Sequence, residues 1–201
     1  MKFIAHRINT VQELNELDQD LGVELDLRDS GGELIMVHDP FSGGETFEEY
    51  LKNYRHGLMI LNVKSERIEH KVLELIKKYE IKEYFFLDSS FPMIYLLSST
   101  GEKRVAVRFS EFEGIDTLEK MSGKCQYAWV DCFTKFPLDS STFQELKKLG
   151  YLLAFVSPEL QGRDQDIENY AQIMRDESIS FDYICTKSYN ISRWKSALAL
   201  Q

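Results

Sequence analysis

Four short fragments in the first third of the chain contain side chains that could carry out chemistry together. Each fragment ends or follows an apolar run; the fragments are His6-Arg7, Glu24-x-Asp26, His38-Asp39 and Asn62-x-Lys64. Imidazoles move protons near neutral pH, carboxylates hold hard cations, and Lys and Arg neutralise anions. The combination predicts the cleavage of a phosphodiester beside a bound metal ion.

The carboxylate pair is the most specific of these fragments. Glu24 and Asp26 lie two residues apart in a predicted strand, so both side chains point to one face. Buried carboxylates are costly unless they are paired or coordinate a cation, and two of them favour Mg²⁺ or Ca²⁺. A salt bridge to one of three cations, Arg7, Arg28 or Lys64, is an equally good interpretation of the pair taken alone.

The two histidines come at the ends of different predicted strands. Histidine titrates near neutral pH, so one ring can accept a proton while the other donates one, which predicts an acid–base pair of His6 and His38. Asn62 and Lys64 share a face of the next strand. The Asn62 amide oxygen can bind a metal, and the Lys64 ammonium can neutralise a phosphate oxygen.

The remaining histidines and the cysteines carry no such pattern. His56 lies in a polar loop and His70 on a helix, and both are expected to be solvated. Cys125, Cys132 and Cys185 are widely spaced and form no C-x-x-C pair, which favours reduced, partly buried thiols. A nucleophilic role for Cys132 or Cys185, at strand ends, is the alternative.

The elements that must position these side chains follow an alternating pattern. Apolar or β-branched runs occur at 2–6, 23–28, 34–38, 58–63, 83–87, 104–109, 127–132, 151–156 and 182–186, and most are separated by segments with helical period. The turn-rich stretch 29–33 is too short for a helix and predicts a β-hairpin. Eight strand–helix units remain, which predict an α/β fold: a compact (β/α)8 TIM barrel with an extra hairpin arm after the second strand, in a single domain over 1–201. A doubly wound open sheet is the alternative.

Several helix starts are marked by sequence. Four segments have the spacing of capping boxes; they are Thr10-x-x-Glu13, Thr46-x-x-Glu49, Asp116-x-x-Glu119 and Ser141-x-x-Gln144. Pro92 suits a first helical turn.

The overall charge limits the class of partner. The 201 residues contain 24 Lys and Arg against 33 Asp and Glu, a formal net charge of -9. A chain this acidic lacks the basic surface that is typical of proteins that bind nucleic acids or membrane surfaces. An anionic substrate must therefore be held by a local group of cations or by a metal. No apolar run has the length of a signal peptide or a membrane span, and we expect a cytoplasmic protein. The oligomeric state stays open.

The fragments together resemble the glycerophosphodiester phosphodiesterase family, within the superfamily of barrels similar to phosphatidylinositol phospholipase C. The similar segments are FIAHR, INT, VELDLRDSGGELIMVHD and LNVK, over residues 3–64, followed by a matching strand rhythm at LDSSF, FVSP and YICTK. The resemblance implies a TIM barrel that hydrolyses glycerophosphodiesters with the help of a divalent metal, Mg²⁺ or Ca²⁺. It also implies that a substrate hydroxyl can attack the neighbouring phosphate.

The resemblance also implies roles for matching positions. His6 and His38 would be the general acid and base. Arg7 would contact the phosphate and Lys64 would help to neutralise it. Glu24 and Asp26 would bind the metal.

The chain departs from the family pattern at several positions. Asn62 stands where the family has a third metal carboxylate, which is expected to weaken the metal site. Ile8 replaces the glycine that follows His-Arg, and Lys187 replaces an aspartate often found at the end of the last strand. An insertion after the His-Asp strand is missing, which implies a more open pocket.

Two further cations come near strand ends. Arg108 and Lys187 would recognise a second anionic group on the substrate. The alternative is that they form ion pairs with Asp88 and Asp131.

The sequence therefore predicts a metal-assisted phosphodiester hydrolase acting on a small phosphodiester, by default a glycerophosphodiester. Two other functions stay open: a non-catalytic phosphate-binding barrel, and a metal-independent lyase similar to phospholipase C.

Overall fold

Strands and helices alternate along the chain in the computed structural model, which describes residues 1–200. The strands are β1 (Lys2–Ala5), β2 (Gly22–Ser30), β3 (Glu33–Met36), β4 (Glu45–Thr46), β5 (Met59–Val63), β6 (Tyr84–Leu87), β7 (Ala106–Phe109), β8 (Tyr127–Val130), β9 (Leu152–Val156) and β10 (Tyr183–Thr186). The α-helices are α1 (Val11–Glu16), α2 (Phe47–Asn53), α3 (Glu69–Lys78), α4 (Phe91–Ser99), α5 (Asp116–Met121), α6 (Ser140–Lys148), α7 (Ile167–Asp176) and α8 (Ile191–Ala197).

Eight of the strands form a parallel barrel. The strand β1 pairs with both β2 and β10, and parallel ladders continue through β5 and β6 on one side and through β9, β8 and β7 on the other. Between β6 and β7 the ring is joined by one parallel bridge, Phe86 to Val105, and by a 2.9 Å hydrogen bond from the Phe86 N–H to the Arg104 carbonyl. The predicted (β/α)8 barrel is confirmed, and the seam between β6 and β7 is its most weakly paired junction.

The predicted hairpin arm is also present. The strand β2 runs beyond the barrel and pairs antiparallel with β3, from Leu27–Met36 to Ser30–Glu33. Gly31 and Gly32 form the turn with φ of 56° and 86°, which the favoured two-residue hairpin turn requires at both positions. A short strand that the sequence pattern did not predict, β4, pairs antiparallel with β3.

The alternation of residues along β2 decides what lies inside the barrel. Val23, Leu25 and Leu27 pack outward in the core between strands and helices. Glu24 and Asp26 therefore point inward, where each is 1% exposed. The barrel interior below them is filled by a separate apolar cluster; its members are Ile4, Leu58, Ile60, Phe85, Leu87, Ala106, Tyr127, Trp129, Ala154, Val156 and Cys185.

The helix starts follow the sequence signals in part. Thr10 caps α1 in a complete capping box with Glu13, and Thr46 accepts the Glu49 N–H at the start of α2. The predictions at Asp116 and Ser141 are wrong. Ile115 precedes α5 without a side-chain cap. Asp139 caps α6 instead of Ser141, because its carboxylate lies two residues earlier and accepts the Thr142 N–H. Pro92 lies in the first turn of α4 as expected.

None of the helices within residues 1–200 is long and apolar enough to cross a membrane.

The junction between β1 and β2 requires a glycine. Gly22 is in register with Ile4, and a Cβ atom at Gly22 would collide with the Ile4 Cδ1 and lie 2.6 Å from the Leu58 carbonyl oxygen. Because the Leu58 oxygen belongs to the backbone, the collision cannot be relieved by a side-chain rotation alone.

We predict that Gly22→Ala lowers the free energy of unfolding by about 1–3 kcal/mol, the usual effect of overpacking. Thermal unfolding followed by circular dichroism measures the change. Gly43→Ala is the control, because a Cβ atom there meets no atom within 4 Å. Equal melting temperatures for the two variants would contradict this account of the junction.

Candidate active site

The side chains singled out in the sequence meet at the carboxyl ends of the barrel strands. Most of them line one cavity of about 260 Å³; the lining residues include His6, Arg7, Glu24, Asp26, His38, Asn62, Lys64 and Arg108. Lys187 lies behind His6 and completes the predicted set. The carboxyl ends of the strands are where barrel enzymes carry their active sites.

Glu24 is held by hydrogen bonds to uncharged groups. The Arg7 backbone N–H donates to its Oε2 at 2.7 Å, and the Asn62 side-chain amide donates to its Oε1 at 2.8 Å. The His6 Nε2 lies 3.7 Å from the same Oε2. Burial, together with repulsion from Asp26, raises the pKa of Glu24 to about 7. No Lys or Arg side chain within residues 1–200 forms an ion pair with this carboxylate, so the salt-bridge interpretation does not account for Glu24.

Asp26 has a different environment. The Asn9 side chain brackets it, since its Nδ2 donates to the Asp26 Oδ2 at 2.9 Å and its Oδ1 accepts the Asp26 N–H at 2.8 Å. The Arg7 Nε lies 3.6 Å from Oδ2, and the Lys64 Nζ lies 3.7 Å from Oδ1. Two cations thus offset the charge of Asp26. Arg28, the third cation considered, instead donates to backbone carbonyls.

Two acceptor oxygens in the cavity fit a cation. The Asp26 Oδ1 and the Asn62 Oδ1 are both buried and have no hydrogen-bond partner among the described residues. Asp26 and Asn62 are register partners on β2 and β5, so the two oxygens belong to neighbouring positions of one sheet. Buried polar atoms are normally satisfied, and carboxylate and amide oxygens are ligands of Mg²⁺ and Ca²⁺. The described residues contain no cluster of three or more His, Cys, Asp or Glu suited to a metal. The oxygen-bearing side chains that meet here are the carboxylates of Glu24 and Asp26 and the amide of Asn62.

His6 is held neutral by its surroundings. Burial and then the charges of Lys187 and Arg7 lower the pKa of the His6 ring to about 3. The Lys187 Nζ lies 3.0 Å from the His6 Nδ1. Because an ammonium only donates, Nδ1 is the acceptor and the hydrogen of the neutral ring lies on Nε2, the nitrogen near Glu24. His6 can donate a hydrogen bond into the cavity.

His38 has the opposite arrangement. Its Nδ1 lies 2.7 Å from the Asp39 Oδ1, and this hydrogen bond lowers the pKa of the Asp39 carboxyl. Since a carboxylate accepts, Nδ1 is the donor and the Nε2 of a neutral ring is free to accept a proton. Arg28 fixes the backbone here, because its guanidinium donates to the carbonyls of His38 and Lys64 at 2.8–3.0 Å.

Arg108 is surrounded by carboxylates. Its guanidinium forms ion pairs with Asp88 and Asp131, and its Nε lies 3.7 Å from the Glu113 Oε2. Asp88 also pairs with Lys64, at 3.3 Å. For Arg108 this is the ion pairing that the sequence left open as the alternative to recognition of an anion. Lys187 contacts His6 rather than Asp88 or Asp131.

Two residues at the cavity have a left-handed backbone. Arg7 and Asp88 have φ of 59° and 58°, at the ends of β1 and β6. Such a conformation costs a non-glycine residue about 1–2 kcal/mol. At Arg7 the bend aims the backbone N–H at Glu24.

Sequence reasoning missed some residues and misjudged one. Asn9, within the quoted INT segment, was given no role, and Gln161, which donates to the Asp131 Oδ1 at 2.8 Å, carries no sequence signal. The prediction that His56 is solvated is wrong, because its Nε2 lies 3.1 Å from the Leu17 carbonyl and its Nδ1 is buried. His70 is exposed as expected.

The cysteines are buried and unpaired, as expected. Burial raises the pKa of the Cys132 thiol to about 12 and that of Cys185 well above its usual value. These pKa values argue against the nucleophilic alternative, because the thiolate is the reactive form.

Solved structures of phosphodiesterases share this fold. A glycerophosphodiester phosphodiesterase from Agrobacterium tumefaciens str. C58 superposes with a TM-score of 0.63 at 15% identity, covering 92% of this chain and 96% of that chain. A glycerophosphoryl diester phosphodiesterase from Parabacteroides distasonis ATCC 8503 superposes with a TM-score of 0.69 at 12% identity, covering 98% of this chain and 86% of that chain. No family model and no curated protein matches the sequence. At these identities the comparison shows a common fold, and function has to be argued from the site.

We predict that Lys187→Met raises the pKa of His6 above about 3, because removing a cation favours the protonated ring. The measurement is an NMR titration of the histidine Cε1–H signals, assigned with His6→Ala. Lys124→Met, an exposed lysine outside the cavity, serves as the control and should leave the His6 signal unchanged. An unaltered His6 titration in Lys187→Met would contradict the contact.

Proposed function

We propose that the protein is a phosphoric diester hydrolase that cleaves a small phosphodiester, by default a glycerophosphodiester. The observation that carries this proposal is the meeting of two imidazoles, two cations and two carboxylates around one 260 Å³ cavity at the carboxyl ends of the barrel strands. The fold shared with two phosphodiesterases supports it.

The charges of the cavity suit a phosphate that arrives with a cation. Four carboxylates line it (Glu24, Asp26, Asp88 and Asp131), against three cations (Arg7, Lys64 and Arg108). An anionic diester would increase the negative excess unless further positive charge entered with it.

Glu24, Asp26 and Asn62 would hold a divalent cation, Mg²⁺ or Ca²⁺. When bound, the ion would offset charge that develops on the phosphoryl oxygens. Arg7 and Lys64, which lie on the Asp26 side of the cavity, would contact the same oxygens from their own strands. An ion would also favour the ionised form of Glu24.

The two histidines divide the proton transfers. His38, with Asp39 on its Nδ1, accepts the proton of the attacking hydroxyl or water at its Nε2. His6 donates its Nε2 hydrogen to the leaving oxygen while its Nδ1 takes a proton from the Lys187 ammonium, 3.0 Å away, so that the ring stays neutral. The opposite tautomers of the two rings make them suited to opposite steps.

We predict that the protein hydrolyses at least one glycerophosphodiester in the presence of Mg²⁺ or Ca²⁺, and that His6→Ala and His38→Ala each lower kcat/KM by at least about 100-fold, the usual contribution of general acid–base catalysis. The measurement is product release from a panel of phosphodiesters, with and without EDTA. His70→Ala is the control, because His70 is exposed on α3 outside the cavity.

The alternative functions give distinct results in the same assay. A metal-independent lyase would retain activity in EDTA and release a cyclic phosphate. A binding barrel would turn over no diester under any metal, while glycerol 3-phosphate would still bind and His6→Ala would weaken that binding. Turnover that His6→Ala and His38→Ala leave unchanged would contradict the proposed mechanism.

We further predict that Asn62→Asp tightens binding of Mg²⁺ or Ca²⁺ by at least about tenfold, since charge count tunes the affinity of such sites. Without a divalent cation the same variant should melt at a lower temperature, because it adds a buried carboxylate beside Glu24 and Asp26. Calorimetric titration and thermal unfolding measure the two effects. Asn169→Asp adds an equal charge at an exposed position of α7 and is the control. Equal affinities in Asn62→Asp and the original protein would contradict the assignment of Asn62.

A further inference from the structure

The helix α4 has an unusual composition for a helix on the outside of a barrel. Among the α-helices of residues 1–200, α4 alone contains no Lys, Arg, Asp, Glu or His, and no such residue occurs from Ser89 to Gly101. Its inner side packs into the core through Met93, Ile94 and Leu97. Because the outer side of a surface helix normally carries charged and polar side chains, the outer side of α4 is suited to contact another surface.

The outer side of α4 exposes large apolar side chains in one stripe. Phe91, Tyr95 and Leu96 are 53%, 62% and 41% exposed, and Pro92 is exposed beside them. Residues four apart are neighbours on a helix surface, so Phe91 stands next to Tyr95, and Pro92 next to Leu96. Since an aromatic side chain presents about 150–250 Å² of surface, the α4 stripe offers about 300 Å² of apolar area. Exposed apolar patches of this size are often functional.

An apolar groove lies beside the α4 stripe, between the start of α3 and α4. It measures about 320 Å³; its lining residues are Glu66, Arg67, His70, Pro92, Met93 and Leu96. The same face of the protein therefore carries protruding aromatic rings and a groove that can receive one.

A protrusion and a groove on one face are what a two-fold symmetric dimer requires. In such an interface both copies use the same patch, so each contact forms twice, once in each direction. The Tyr95 ring of one copy can enter the groove of the other, where Glu66 and His70 offer hydrogen-bond partners for its hydroxyl. A buried tyrosine normally finds such a partner.

The charge of the chain restricts where two copies can meet. Each copy has a formal net charge of -9, so two copies repel unless the surfaces that meet carry few charges. Charged side chains begin on either side of the α4 stripe, with Glu66 and Arg67 toward α3, and Glu113 and Asp116 toward α5. An apolar centre with a polar rim is the usual anatomy of a protein–protein interface.

We propose that the protein forms a two-fold symmetric dimer through the outer side of α4. Phe91 and Leu96 of each copy pack against the α4 stripe of the other, and each Tyr95 enters the partner's groove. None of the residues assigned a catalytic or metal-binding role lies in the stripe or the groove. The dimer and the function proposed above can therefore fail separately.

Sedimentation equilibrium of the whole chain measures the oligomeric state from about 1 to 200 μM, the range in which interfaces of modest size dissociate. We expect a reversible equilibrium between monomer and dimer. Its dissociation constant should fall as the salt concentration rises, because salt screens the repulsion between two acidic copies. A monomer at every concentration, or a dimer that salt dissociates, would overturn the proposal.

Matched variants locate the contact. Tyr95→Glu and Leu96→Glu should each weaken the dimer at least about tenfold, since each puts an unpaired charge into the centre of the interface. Phe41→Glu and Tyr189→Glu add the same charge at exposed aromatic positions elsewhere, and should dimerise like the original protein. All four positions are at the surface, so circular dichroism should show that each variant is folded. Dimers of undiminished stability in Tyr95→Glu and Leu96→Glu would contradict the assigned face.

Distances between spin labels test the arrangement of the two copies. The three native cysteines are buried, so an added surface cysteine is the thiol that the label modifies. Ser99→Cys places the label at the end of α4, and Ser192→Cys places it on α8, whose strand β10 lies across the barrel from β6. We expect a shorter distance between the two labels of the dimer for Ser99→Cys than for Ser192→Cys. The reverse order would rule out a contact through α4.

A lipid surface is the other partner that an apolar stripe can contact, and the same variants detect it. Vesicles of phosphatidylcholine are mixed with the protein and sedimented. If the protein is a monomer, and Tyr95→Glu abolishes its binding to the vesicles, the stripe contacts lipid and the proposed dimer is wrong. A dimer that leaves the vesicles in solution without bound protein supports the proposal.

Discussion

The structure depends on the burial of two carboxylates side by side within a barrel. Glu24 and Asp26 point inward because β2 alternates strictly, and each is 1% exposed. Two such charges, with Asn62 in register beside Asp26, cannot be accommodated without nearby donors and cations. The fold supplies them from separate strand ends: the Arg7 N–H and guanidinium from β1, Asn62 and Lys64 from β5, and Asn9 from the following loop. The pKa of Glu24 is raised because the hydrogen bonds from Asn62 and Arg7 offset only part of the effect of burial and of repulsion from Asp26.

This constraint explains why structural and chemical roles coincide. The groups that hold the carboxylates also face the cavity where a phosphate would lie, so a cation or an anion entering it acts on the same network. The histidines stand beside that network with opposite tautomers, one set by Lys187 and the other by Asp39. A second cavity, of about 640 Å³, lies beside the sparsely paired seam between β6 and β7.

Much of this arrangement could be predicted because it follows from local patterns. The alternation of side chains along β2 predicts that both carboxylates share one face, and the Gly31-Gly32 turn predicts the hairpin arm. The contact between Lys187 and His6 joins the last strand to the first, and no local pattern encodes it. Asn9 and Gln161 are likewise recognised as site residues only through their hydrogen bonds to Asp26 and Asp131 in the folded protein. The partly buried His56 has the same origin, since its ring contacts the Leu17 carbonyl, which lies 39 residues away in the sequence.

The central claim is that a phosphorus atom lies between two imidazoles at the mouth of this barrel. A crystal structure with glycerol 3-phosphate and Mg²⁺ or Ca²⁺ tests it most directly. The account predicts a phosphate with His6 and His38 on opposite sides, within hydrogen-bond distance of Arg7 and Lys64, and an ion bound by Glu24 and Asp26. A phosphate bound elsewhere on the molecule, or one imidazole turned away from it, would contradict the account.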